Sequence, residues 1–167
     1  MNPRGTVAKG NDLTAKAPVL DRLIDDEPGL AEDATISLNE SIRRYKVSVL
    51  RDLEWLLNTR RTPVPVPATH TEVANSVFVF GIPDITSLSG DSEAGHKQVL
   101  RDIEEAIRIF EPRLTGVRVM HVEDVEGARR QVRFAIEGIL RMEPNPERVV
   151  FDSMLDLANG EIAVGGA

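Results

Sequence analysis

The chain contains no cysteine. Disulfides and thiolate metal sites are therefore excluded, and a reducing compartment such as the cytoplasm is open to it. Histidine is scarce: His70, His96 and His121 share no ligand-like spacing and imply no metal centre. No apolar run is long enough to span a bilayer, and none follows the few basic residues near Met1, which argues against a secretory signal. Catalytic signatures are also lacking. Ser92, in Gly90-Asp91-Ser92-Glu93-Ala94-Gly95, sits in a motif one residue too long for a nucleophile elbow, and it reads instead as a helix cap. There is no phosphate-binding loop, no dinucleotide fingerprint and no internal repeat, so no cofactor is implied.

What is present fits one domain with room for a tail: 167 residues, 41% of them hydrophobic. A formal net charge of -7 disfavours nucleic acid and anionic membrane surfaces as partners. The charge is unevenly laid out. Residues 21 to 33 hold six acids and one base, whereas residues 38 to 61 hold six bases and three acids. An acidic stretch thus precedes a basic helix.

Residues 1–18 are polar and aperiodic and are expected to be a flexible tail. Residues 19–36 hold a short apolar cluster, Leu20-Asp21-Arg22-Leu23, and an acidic linker. The cluster is either a turn docked on its own domain or a linear motif that orders on a partner. Residues 37–167 form the domain proper. Ser37-Leu38-Asn39-Glu40 has the pattern of a capping box, and Ile42, Tyr45, Val49, Leu53 and Leu56 then recur at helical spacing. Three alternate prolines in Thr62-Pro63-Val64-Pro65-Val66-Pro67 preclude helix and predict a stiff, extended connector. Ser76-Val77-Phe78-Val79-Phe80 reads as a short strand, and Glu93 to Phe110 as a second helix.

The chain then changes period. Val117 to Val122, the alternation Val132, Phe134, Ile136, and the run Arg148 to Leu157 predict three strands; Gly127 lies in the first connection. Asn159-Gly160 predicts a turn into a final strand, Glu161 to Val164. The expected fold is α+β: two main helices on a small, mainly antiparallel sheet. A last strand at the sheet edge would offer open backbone groups to a neighbour.

At the helix-to-strand junction stands Glu111-Pro112-Arg113-Leu114. The proline ends the helix and fixes an acid and a base on a rigid corner. Two readings follow: a local ion pair stapling helix to sheet, or a docking corner for another protein. A third role, Glu111 as the general acid of a glycosidase, conflicts with Arg113, which favours the ionised carboxylate.

Four segments carry a family resemblance: Arg51-Asp52-Leu53-Glu54-Trp55-Leu56-Leu57-Asn58-Thr59-Arg60; Ser76-Val77 through Gly81-Ile82-Pro83-Asp84; Glu111-Pro112-Arg113-Leu114; and Phe151-Asp152 through Asn159-Gly160. In this order they resemble the TssE family of type VI secretion baseplate subunits, part of the phage baseplate wedge group historically labelled lysozyme-like. The resemblance runs from about residue 18 to the C-terminus, and Leu20-Asp21-Arg22-Leu23 resembles the segment preceding the domain in that family. It implies a cytoplasmic structural subunit without catalysis, placed at the inner face of the inner membrane. Such a subunit joins the wedge proteins TssF and TssG to the sheath proteins TssB and TssC, and its sheet offers strands that mimic sheath edges. It also implies that Glu111, Pro112, Arg113 and Leu114 dock a partner, together with Leu20, Asp21, Arg22 and Leu23. A peptidoglycan-cleaving hydrolase using Glu111 is the alternative.

Overall fold

A computed structural model describes residues 18–24, 37–85, 93–122, 131–142 and 145–166. The expected tail, the acidic linker, the cap at Ser92 and the connection at Gly127 lie outside these residues.

A short helix, α1 (Val19–Leu23), precedes the long α2 (Leu38–Asn58). The Ser37 side chain accepts the Glu40 N–H, as the cap pattern predicts. The reciprocal half of the box is replaced: the Glu40 carboxylate takes Arg43 and Arg44, and their hydrogen bonds lower its pKa to about 2. Val49, Leu53, Leu56 and Leu57 turn one face of α2 into the core, each such side chain contributing about 1.5–3 kcal/mol on burial. The second main helix, α3 (Glu93–Phe110), has the predicted bounds and buries Val99, Leu100, Ile103 and Ile107 against the same core.

Four antiparallel strands in chain order, β1 (Leu114–His121), β2 (Gln131–Leu140), β3 (Glu147–Asp156) and β4 (Ile162–Val164), form the sheet. The fold is α+β. Alternation puts Val132, Phe134, Ile136, Val149, Phe151 and Leu155 on the face toward the core. The turn at Asn159-Gly160 is present, with Gly160 at φ 71 and its N–H donated to Asp156.

The expected strand at residues 76–80 is not one. Val77–Val79 is a turn of 3-10 helix, with Val79 N–H on Ser76 O, Phe80 N–H on Val77 O, and the Ser76 hydroxyl capping Phe78 N–H. An apolar, β-branched run becomes a strand only where it pairs with a sheet edge, and the sheet, β1-β2-β3-β4, does not include this segment. Asn58, the last residue of α2, donates to Ile162 O (2.8 Å) and accepts from Ile162 N (2.9 Å) on the open side of β4. The Glu104 carboxylate of α3 takes Val119 N–H on β1 at 3.0 Å. The last strand lies at an edge of the sheet, but its backbone at Ile162 is already satisfied. The proline connector is non-helical, yet it bends at Pro63 and Val64, where Thr62 Oγ1 accepts the Val64 N–H.

Candidate docking site

Glu111 follows α3 directly, its N–H still donating to Ile107 O at 2.8 Å. Pro112 then breaks the helix, and Leu114 N–H closes the turn on Glu111 O before β1 begins. Of the four corner residues, Glu111 (3% exposed) and Leu114 are buried, Arg113 is half-buried, and Pro112 is exposed.

A carboxylate removed from water needs its full complement of donors. Arg113 supplies them: Nε to Glu111 Oε1 at 2.6 Å, the backbone N–H to the same oxygen at 3.2 Å, and Nη2 to Oε2. The rest of the guanidinium reaches α2. Nη2 donates to Asp52 Oδ2 at 2.7 Å, Nη1 to Ser48 Oγ at 3.2 Å, and the group lies 5.9 Å from the Tyr45 ring centroid. Burial alone would lower the Arg113 pKa, but hydrogen bonds and charge interactions with Glu111 and Asp52 outweigh it and hold the pKa above its ordinary value.

The network continues. Asp52 Oδ1 accepts from Arg51 Nε and Nη2, and Arg51 Nη1 donates to Asp21 Oδ1 of α1 at 2.8 Å. Arg51 also lies over the Trp55 ring, and its pKa is raised, first by the hydrogen bond it donates to Asp21. Asp21, Arg51, Asp52, Arg113 and Glu111 thus alternate in sign along one path from α1 across α2 to the corner. The path depends on helical spacing: Tyr45, Ser48 and Asp52 line the side toward Arg113, and Arg51 reaches Asp21 of α1.

The structure therefore connects the two segments singled out in the sequence. Asp21 is tied to the domain, whereas Leu20, Arg22 and Leu23 are exposed, Leu23 by 77%. Ser48, Tyr45 and Asp52 are the functional candidates that sequence reasoning missed as partners of Arg113. The one signal was Ser48 and Asp52 sharing a helix face, which does not name what they meet. A cleft of about 560 Å³, lined by residues that include Val122, Arg133, Asp152 and Val164, opens at the other end of β1 and contains neither Glu111 nor Arg113. Among the described residues no acid–histidine cluster could hold a metal, and no helix is long and apolar enough to cross a membrane.

Fold and site together define a small two-layer α+β domain whose one buried carboxylate, among the described residues, is spent on internal ion pairing. Residues 43–145, more than half the chain, match the family of baseplate wedge protein gp25, and the chain belongs to that family. The matched stretch runs from α2 through β2. The baseplate wedge group that the motifs resemble is thus the group this chain falls in, which makes it a structural baseplate protein that interacts with other baseplate proteins. No curated protein matches the chain.

Proposed function

We propose that this chain is the TssE-type subunit of a type VI secretion baseplate, joining the wedge proteins TssF and TssG to the sheath proteins TssB and TssC by docking, without catalysis. It acts in the cytoplasm, at the inner face of the inner membrane. The observation that carries the reading is the path of charges joining Asp21 to Glu111, because it makes the N-terminal segment and the corner one site on a chain of the baseplate wedge family. Within that site the roles divide. Glu111, Arg113 and Leu114 hold the corner in shape, while Pro112 and the apolar side chains of Leu20 and Leu23 meet the partner; Asp21 positions them, and Arg22 borders them.

The hydrolase alternative is poorly served by this geometry. Both oxygens of Glu111 are engaged by Arg113, and the carboxyl is shut from solvent, so it has no approach to a glycosidic oxygen.

Leu20→Asp with Leu23→Asp in the full chain leaves the circular dichroism spectrum and melt unchanged, because both side chains are exposed. Pull-down with co-expressed TssF and TssG is expected to lose both proteins. Retention at the wild-type level would remove the N-terminal segment from the interface. The division into tail (1–18), motif and linker (19–36) and domain (37–167) is part of the same proposal. Removing residues 1 to 17 is then expected to shift the melting temperature by less than about 2 °C, and a larger drop would assign those residues to the domain.

A further inference from the structure

Between α2 and α3 the chain makes a long excursion whose neck is closed by backbone pairing. Arg61 N–H donates to Ile82 O at 2.9 Å, Ile82 N–H donates to Thr59 O at 3.0 Å, and Arg60 and Ile82 form a parallel bridge. No residue from Arg60 to Phe80 is buried, so the excursion adds little to the core. Connections of this length with no regular structure beyond single 3-10 turns are uncommon in compact domains and are usually functional.

Its composition departs from that of a solvated loop. Glu72 is the one charged side chain in residues 62–80, in a chain that is 28% charged overall. Val64, Val77 and Phe78 are nonetheless 58%, 85% and 43% exposed. Exposed surface depleted of charge and carrying an aromatic has the make-up of an interface core. The excursion is also prearranged. Pro63, Pro65 and Pro67 fix their φ angles, the Ser76 hydroxyl caps Phe78, and Phe80 packs edge-on against Phe110 with centroids 5.1 Å apart. Order present before binding lowers the entropy cost of binding.

We propose that residues 62–80 are a binding arm whose Val77–Phe78 pair seats in an uncharged, apolar groove on another protein. The arm is a surface distinct from the Asp21-to-Glu111 site. A bilayer is the poorer partner, because residues 62–80 contain none of the Trp, Tyr, Lys or Arg that anchor a segment at a lipid interface. Strand addition is disfavoured too, since the N–H groups of Phe78, Val79 and Phe80 are already taken within the 3-10 turn.

The test is Phe78→Glu in the full chain, with Phe78→Leu as the conservative control. The tagged protein is pulled down from cells expressing TssF, TssG, TssB and TssC, and each subunit is quantified. Phe78→Glu keeps the wild-type melt but binds at least one of the four about thirtyfold more weakly, the scale of one interface hot spot, and Phe78→Leu restores binding. Retention of all four by Phe78→Glu overturns the arm alone, provided Leu20→Asp with Leu23→Asp still loses TssF and TssG. Capture of none by wild type overturns both readings. Conversion of a wild-type dimer to monomer by Phe78→Glu, or Phe78-dependent binding to phosphatidylglycerol vesicles, overturns the separate protein partner in favour of a second copy or a membrane.

Discussion

Replacing Arg113 by glutamate is expected to destabilise the domain by about 3–5 kcal/mol, the usual cost of leaving a buried charge without its partner. Glu111 has 3% of its surface exposed and takes three hydrogen bonds from Arg113. The new carboxylate would face both Glu111 and Asp52, so repulsion adds to desolvation. Urea unfolding measures the effect, and a loss below about 1 kcal/mol would mean that the ion pair does not hold the corner together. The same geometry rules out Arg113→Glu as a clean probe of docking, because loss of a partner would follow from loss of the fold. Substitutions at Leu20 and Leu23 escape that ambiguity, since their side chains lie outside the core.

Gly81→Ala is expected to cost about 3 kcal/mol, from two separate causes. Gly81 has φ 102, a conformation that side chains disfavour, and an added Cβ would lie 2.3 Å from Thr59 O. That oxygen accepts the Ile82 N–H at the neck of the arm, so the clash falls on the bond that closes it. Ile82 itself is in the core, and shifting it would open a void. Gly116→Ala separates the two causes, because Gly116 has φ 62 but open space around it, leaving a backbone cost of about 1–2 kcal/mol. Equal melting temperatures for the two variants would show that the close approach to Thr59 contributes nothing.

The helices and the sheet were legible because their periods are: α3 ends at Phe110 as its spacing and Pro112 dictate, and Val132, Phe134 and Ile136 face inward as alternation requires. The apolar run Val77 to Phe80 was misread because strand propensity describes a surface to be paired, and pairing is decided elsewhere in the fold. The ion pair within Glu111-Pro112-Arg113 was readable because its members are two residues apart. The burial of Glu111 was not, since acids usually lie at the surface. Nor was the rest of the network. Asp52 lies 61 residues from Arg113, and Asp21 lies 30 from Arg51, distances over which local pattern carries no pairing information.

The side-chain caps on the sheet edges bear on how the subunit joins larger structures. A strand arriving at Ile162 must first displace the Asn58 carboxamide, and one arriving at Val119 must displace the Glu104 carboxylate. At these positions each new backbone hydrogen bond replaces an existing one, so the count hardly changes and the net gain there is close to nil. Strand addition at these two positions therefore draws its free energy from side chains buried alongside, and a strand without matching side chains gains little there. At Ile162 and Val119 a second copy thus gains little from backbone pairing, while a strand with complementary side chains can still be admitted.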